Sequence, residues 1–207
     1  MTTRVRAKPG RPKGAVDAEP RRQELVLAAY RRIAEAGFEG LRTREVAAEA
    51  GVNIATLHYY FPTKEALIRG VVGHAMGRFR TTFAAGSRPG EQLAANLSGM
   101  RRLAAQEPEL FVVMGELALR SVRDPAIAAI FKEMVQAWHS TLRGLVRHAQ
   151  EEGFVERRLD PDTLASLVIA TLTGLFMVPI ANRTPGRIDK ALGQLESFLG
   201  LKKGKPK

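Results

Sequence analysis

The segment from Asn53 to Lys64 carries side chains that are suited to contacts with nucleic acid. Leu57 and Phe61 have the spacing of two buried anchors on one side of a short helix. The other side chains would then face outward: Asn53, Ile54, Ala55, Thr56, His58, Tyr59 and Tyr60. Hydroxyl, amide, imidazole and small apolar groups on such a helix can reach base edges in a major groove. A pair of ordinary core helices with a polar outer side is the alternative, and the residues alone do not decide between the two.

A short helix over residues 43–50 precedes this one, and a tight turn would join the two. We expect Thr43 to cap its start, with Glu45 placed favourably at the positive end of the helix. Gly51 stands where a left-handed residue would end the helix, and Asn53 is suited to cap the helix over residues 54–60. The segment therefore predicts a helix-turn-helix.

Positive charge is concentrated near the two ends of the chain, whose net charge is +11. Residues 1–80 contain 15 lysines and arginines against 8 acidic residues, whereas residues 81–201 contain 13 of each. Residues 202–207 form a short tail with four lysines. This asymmetry favours a polyanionic partner for the N-terminal part, although an excess of solvated surface charge is the alternative.

The elements that position these residues are all predicted to be helical. Cap residues followed by proline mark helix starts at Asp124-Pro125, Asp160-Pro161 and Thr184-Pro185, and Thr63 is expected to cap the helix that begins at Lys64. Apolar periodicity predicts nine helices, over 21–36, 43–50, 54–60, 64–81, 91–106, 108–121, 125–152, 161–178 and 185–199. We expect an all-α chain with a flexible basic arm over 1–18, a small head over 19–70 and a larger helical body over 71–201.

The predicted helix over residues 161–178 is apolar on almost every side. Such a helix must be buried on two sides. We expect the chain's own core to bury one side and a second subunit to bury the other. The expected dimer interface comprises Leu164, Val168, Leu172, Leu175, Leu192 and Leu195. Residues 164–180 carry no charge, but this length is at the lower limit for a membrane span and polar residues interrupt it. We therefore expect a buried helix.

Two runs in the head are specific enough to suggest a family. They are Ala-Ala-Glu-Ala-Gly-Val at 47–52 and Tyr-Tyr-Phe-Pro-Thr-Lys-Glu-Ala-Leu at 59–67. With their spacing, they resemble the DNA-binding domain of the TetR family of bacterial transcription regulators, and the resemblance extends from about Glu19 to Val72. The helix layout of the body is similar to that family's ligand-binding and dimerisation domain. The resemblance implies a homodimer that binds a pseudo-palindromic operator as a repressor until a small ligand binds the body.

The resemblance also implies roles for particular residues of the head. The helix from Ile54 to Tyr60 would be the recognition helix, while Thr43 and Arg44 would lie near phosphates and Lys64 would bind one. His58 stands where the family usually has tyrosine, so its contact is left open.

The arm carries a signal of its own around Arg11. The run Pro-Gly-Arg-Pro-Lys-Gly at 9–14 resembles an AT-hook core, in which the arginine lies in a narrow minor groove. A basic arm that attracts phosphates without sequence preference is the alternative.

Large apolar residues on the body helices are candidates to line an inducer pocket, and simple core filling is the alternative for each. They are Met100, Leu103, Phe111, Met114, Trp138, Phe176 and Met177. With few charges nearby, we expect a small apolar or amphipathic ligand. Glu116 is expected to point outward, and His139 to lie at a rim. A constitutive or nucleoid-type DNA-binding protein without an inducer remains the alternative function.

Other function classes find no support in the residues. The absence of cysteine excludes disulfides and thiolate metal sites, and the four histidines lack metal-ligand spacing. No nucleophile elbow or phosphate-binding glycine loop occurs, so we expect neither an enzyme nor a cofactor. Residues 1–14 are basic and rich in proline and glycine, so we expect no signal peptide and a cytoplasmic, nucleoid-associated protein.

Overall fold

Nine α-helices and one short 3-10 helix make up the described part of the chain. The computed structural model describes residues 18–83, 88–177 and 186–201, without the side chains of 89, 90 and 175–177, and contains no strand in those ranges. The elements are α1 Ala18–Ala36, the 3-10 helix Phe38–Gly40, α2 Thr43–Glu49, α3 Ile54–Tyr60, α4 Lys64–Arg80, α5 Pro89–Gln106, α6 Pro108–Ser121, α7 Pro125–Glu151, α8 Pro161–Met177 and α9 Arg187–Phe198. The predicted all-α fold is confirmed.

Several helix boundaries follow from capping chemistry that the sequence predicts. The side chain of Asp124 accepts hydrogen bonds from the first backbone N–H groups of α7, and Thr63 accepts one from Ala66 N at 3.1 Å. Gly51 has φ +66°, so the turn after α2 needs the left-handed conformation that glycine adopts without strain. The predicted caps at these positions are confirmed.

Other boundaries differ from the prediction. The cap position of α2 is held by Arg42, whose side chain makes no capping bond, and Thr43 is the first helical residue. Helix α1 begins three residues earlier than predicted and α5 begins at Pro89, because a first turn needs no inward apolar residue and periodicity cannot locate it. Arg11, the tail over 202–207 and the predicted cap at Thr184 lie outside the described residues.

The head is held together by α1, which packs against α2, α4 and the 3-10 helix. Leu57 and Phe61 are both almost fully buried, so the two predicted anchors of the second short helix are confirmed. They join Leu25, Ile33 and Val46 in one core. Burying these side chains holds the short helices in place, since helices of seven residues are not stable alone.

The body is arranged around α7, which packs against α5, α6 and α8. Its buried stripe follows the predicted period and includes Ile127, Ile130, Met134, Leu142 and Val146. Helix α9 packs against α5, where Arg101 and Glu196 form an ion pair at 3.0 Å. None of the described helices is long and apolar enough to cross a membrane.

Helix α4 connects the two parts and is clamped to the body at two places. Arg69 donates a hydrogen bond to Glu133 of α7 at 2.6 Å. Two residues before the end of α4, Arg78 binds both carboxylate oxygens of Glu107, which lies between α5 and α6. A two-pronged arginine–carboxylate contact fixes orientation as well as distance.

The Arg78–Glu107 pair predicts a pH-dependent part of the stability. The hydrogen bonds from Arg78 hold the pKa of Glu107 below its ordinary value of 4.5. Because the folded pKa is lowered, the stabilisation is fully present above the ordinary value and is lost as the pH falls through the folded value. Glu107→Gln should therefore lower the melting temperature by about 2 °C at neutral pH, and this difference should shrink progressively below pH 4.5.

Thermal unfolding followed by circular dichroism across this pH range measures the effect. Glu151→Gln removes an exposed carboxylate at the end of α7 and serves as the matched control, with no loss of stability expected at neutral pH. A difference between wild type and Glu107→Gln that stays constant as the pH falls would contradict the assignment.

Candidate nucleic-acid interface and internal cavity

The outer face of α3 is open to solvent. Tyr59 is 80% exposed, Ile54 is 37% exposed, and Ala55 and His58 are exposed as well. Leu57 faces the opposite way into the core of the head. A large aromatic side chain that is exposed to solvent on a short helix suggests an interaction surface. In the isolated molecule its apolar area contributes no free energy of burial.

Three of the predicted contact residues also organise this face. Asn53 Oδ1 accepts hydrogen bonds from Thr56 N at 2.8 Å and from the Thr56 hydroxyl at 3.0 Å, so both residues hold the start of α3. Tyr60 is half-buried against the core, and its ring meets that of Tyr59 edge to face at 5.1 Å. The half-buried ring of Tyr60 thus supports the exposed ring of Tyr59.

Three cationic side chains surround the beginning of α2. A shallow depression there is lined by Leu41, Arg42, Thr43, Arg44, Glu45 and Lys64. Arg44 and Lys64 are exposed, and the side chain of Arg42 is 74% exposed while lying 3.4 Å from Glu45. Such a cluster is suited to phosphate groups. Arg42 was not among the predicted contacts, although the Arg-Thr-Arg run at the helix start was a signal for it.

Phe38 connects this cluster to the body. Lys64 Nζ lies 4.5 Å from the centre of the Phe38 ring, and the Arg120 guanidinium of α6 lies 4.9 Å from the same ring. The backbone N–H of Phe38 donates to the Glu116 carboxylate at 3.0 Å. The expectation that Glu116 points outward is therefore wrong, because this carboxylate satisfies a backbone donor at the edge of the head.

A cavity of about 270 Å³ lies between α4, α5, α6 and α7. Its walls are mostly aromatic rings and thioethers, from Met76, Phe79, Phe83, Met100, Phe111, Met114, Phe131, Met134 and Trp138. Polar groups are few: Thr82 and Asn96 are buried, whereas Arg80, Thr141 and Thr173 are exposed at the rim. No carboxylate and no histidine is among the described lining residues.

The predicted pocket residues are only partly brought together. Met100, Phe111, Met114 and Trp138 line the cavity, whereas Leu103 is buried elsewhere in the core. The side chains of Phe176 and Met177 lie outside the described part. The contribution of α4 was missed, because the periodicity of a helix does not show which of its turns faces a second layer.

The predicted dimer residues belong to the protein's own core. Leu164, Val168, Leu172, Leu192 and Leu195 are all buried within a single chain, and the side chain of Leu175 lies outside the described part. A helix that is apolar on every side does not reveal which side faces inward. The outward face of α8 consists of Ser166, Leu167, Ala170 and Gly174, and Phe198 of α9 is 77% exposed.

The remaining histidine candidate lies away from the cavity. His139 Nε2 is 3.1 Å from the Ser166 hydroxyl and 3.3 Å from the backbone carbonyl of Asp162, so it links α7 to α8. In the described ranges no three His, Cys, Asp or Glu residues are grouped closely enough to hold a metal ion.

Comparison with known proteins gives a consistent result for both parts of the chain. The sequence model of bacterial regulatory proteins of the tetR family matches residues 25–71, and that of BetI-type transcriptional repressors (C-terminal part) matches residues 89–199. The HTH-type transcriptional regulator PksA of Bacillus subtilis is 26% identical over 187 residues, which cover 84% of this chain and 85% of that protein.

Solved structures share the fold at lower identity. A TetR-family transcriptional regulator from Rhodococcus sp. has a TM-score of 0.77 and 24% identity, covering 87% of this chain and 99% of that one. A transcriptional regulator from Saccharomonospora viridis in complex with choline has a TM-score of 0.72 and 22% identity, covering 89% and 97%.

Proposed function

Since the chain belongs to the TetR family of bacterial regulatory proteins, we propose that it represses transcription by binding a pseudo-palindromic operator as a homodimer and releases it when a small ligand binds. One observation carries the proposal. Helix α3 has an exposed aromatic face, and exposed lysine and arginine side chains lie at the starts of the neighbouring helices α2 and α4. We expect it to act in the cytoplasm, where its DNA lies.

The two parts of this surface would make different kinds of contact with DNA. Tyr59, His58, Ile54 and Ala55 would contact base edges in the major groove, whereas Arg42, Thr43, Arg44 and Lys64 would contact phosphates. Asn53, Thr56 and Tyr60 would hold the recognition helix in place. Arg11 of the arm would add a minor-groove contact if the arm recognises A/T-rich sequence, or a phosphate contact if it binds without sequence preference.

We propose that a second copy of the chain packs against the outward-facing side chains of α8 and α9. Leu167 of α8 is 48% exposed, and Phe198 of α9 is 77% exposed. Apolar side chains on a helical face are typical of the centre of a homodimer interface. Two heads joined in this way would meet successive major grooves, about 34–36 Å apart.

The ligand response would run through α6. Met114, Gly115 and Ala118 line the cavity, while Glu116 and Arg120 on the same helix contact Phe38 of the head. Because Lys64 lies on the same Phe38 ring, a shift of α6 would be felt at a proposed phosphate contact. The choline complex of the Saccharomonospora viridis regulator supports a cavity that accepts small molecules in this fold.

Binding of the purified protein to its own upstream DNA and to random DNA of equal length tests operator recognition. At about 0.15 M salt we expect a preference of roughly a thousandfold or more, with two protomers per site. Tyr59→Ala should weaken operator binding about tenfold or more and leave random DNA binding unchanged. Lys64→Ala should weaken both and reduce the salt dependence.

Lys132→Ala is the matched control, since it removes an exposed lysine from the body and should change neither binding. Equal losses on operator and random DNA for Tyr59→Ala would remove this residue from base recognition. Equal binding of wild type to both DNAs would instead favour a nucleoid-type protein.

The proposed dimer face is tested by one charge on α8. Leu167→Glu should convert the dimer to a monomer at micromolar concentration, because burying an unpaired carboxylate at an apolar interface is costly. Sedimentation velocity measures the state. Leu119→Glu makes the same change at an exposed leucine of α6 and should leave the dimer intact. A dimeric Leu167→Glu protein would place the interface elsewhere.

The coupling through Glu116 can be tested without knowing the ligand. Ala118→Phe fills the cavity from α6 and should lower operator affinity about fivefold or more, as an inducer would. In a Glu116→Ala background this effect should nearly vanish, because Ala removes the acceptor for Phe38 N–H. Glu116→Gln retains an acceptor oxygen and should preserve the effect. An Ala118→Phe effect of equal size in all three backgrounds would contradict this route.

A further inference from the structure

The interior of the cavity offers little to a charged or polar group. Its buried polar side chains bind within the protein: Asn96 Nδ2 donates to the Thr82 hydroxyl at 2.6 Å, and that hydroxyl donates to the Phe79 carbonyl at 2.6 Å. The other amide oxygen position, Asn96 Oδ1, has almost no accessible surface and cannot meet a ligand. A charged group of a bound molecule would therefore be unfavourable in the interior and would lie at the rim, in contact with water.

Arg80 supplies a positive charge at this rim. Helix α4 contains three arginines, and two of them bind carboxylates: Arg69 binds Glu133 and Arg78 binds Glu107. Arg80 lines the cavity and is exposed, and it forms no ion pair with any residue that the structure describes. A guanidinium on a long, unpaired side chain can turn towards a group at the rim without breaking another contact. An arginine that interacts only with water is the alternative.

The charges around the cavity favour an anion over a cation. The described walls contain no aspartate or glutamate that could balance a cation, and Arg80 would repel one. Aromatic rings can hold a quaternary ammonium group by cation–π contact, but here the charge at the rim opposes it. A carboxylate at the rim would instead accept two parallel hydrogen bonds from the guanidinium.

The walls and the volume define the remainder of the molecule. The described walls carry five aromatic rings, including the edge-to-face pair Phe79 and Phe111 at 5.8 Å, and such rings favour another ring. Four methionine sulfurs favour its edges. The cavity of about 270 Å³ exceeds the roughly 150 Å³ apolar cavity that holds benzene, which leaves room for one ring with a short alkyl chain.

We propose that the cavity binds an arylalkanoate, a monocarboxylate whose ring lies among the aromatic and methionine side chains and whose carboxylate pairs with Arg80 at the rim. This assignment rests on the proposed ligand response of the protein and names its ligand class. The alkyl chain places the ring inside while the carboxylate keeps its contact with water, so the charge is not buried. Arg80 is then the residue that selects an anion.

Calorimetric titration of the full chain with three probes of similar size tests the charge preference. They are 4-phenylbutyrate, the uncharged 4-phenylbutanol and the cation 4-phenylbutylammonium. At low salt the carboxylate should bind about fivefold or more tightly than the alcohol, and the ammonium should bind most weakly. Because the ion pair lies at an exposed rim, the preference for the carboxylate over the alcohol should shrink as the salt concentration rises.

Substitutions of Arg80 test the ion pair, and because this side chain is exposed they should not disturb folding. Arg80→Gln should bring the carboxylate and the alcohol to similar affinity by weakening only the carboxylate. Arg80→Lys keeps the charge and should retain part of the preference. Arg102→Gln removes an exposed arginine of α5 that does not line the cavity, and it should keep the full preference. An unchanged preference in Arg80→Gln would overturn the assignment.

Filling the cavity tests where the ring lies. Ala118→Phe should weaken 4-phenylbutyrate and 4-phenylbutanol alike, by about tenfold or more, because its ring takes the same space. Undiminished binding of 4-phenylbutyrate to this variant would place the site on the surface and overturn the proposal. So would equal binding of all three probes to wild type, tighter binding of the ammonium, or no binding of the carboxylate. These titrations contain no DNA, so their failure leaves operator recognition untouched, whereas loss of operator preference leaves them interpretable.

Discussion

Helix α4 packs into the core of the head with one half and against the body with the other, and this shared helix constrains the rest of the molecule. Its first half buries Leu67, Ile68 and Val71 in the core of the head. Its second half places Met76 and Phe79 in the cavity wall, and Arg78 clamps it to Glu107. One helix therefore joins the core of the head to the cavity wall, and a displacement of its second half would be passed along its axis to the first half.

The interaction free energies around Phe38 are of the size expected for the proposed ligand-responsive switch. A hydrogen bond to a charged group contributes about 1.5–3 kcal/mol, and a cation over an aromatic ring contributes about 0.5–1 kcal/mol at an exposed site and about 2 kcal/mol when desolvated. Coupling between sites in regulated proteins is about 1–3 kcal/mol. The bond from Phe38 N–H to Glu116 and the two cations on the Phe38 ring would therefore be strong enough to carry the proposed signal.

Local chemistry explains which parts of the fold and site could be predicted. The caps at Asn53, Thr63 and Asp124, the turn at Gly51 and the anchors Leu57 and Phe61 depend on contacts within a few residues. The cap assigned to Thr43 failed because Thr43 is the first helical residue of α2, one position after the cap. Met100, Phe111, Met114 and Trp138 were found as cavity residues by size alone, which also admitted Leu103 from the core.

The sequence by itself determined the helical class, the helix-turn-helix and the outward face of α3, because periodicity and capping act over one or two turns. Tertiary structure alone decided that Leu172 faces inward while Leu167 faces out, since α8 carries apolar residues on almost every side. It also decided that Glu116 reaches Phe38, 78 residues away, and that Asn96 meets Thr82 inside the cavity. Such contacts depend on how helices pack against each other, which periodicity within one helix does not encode.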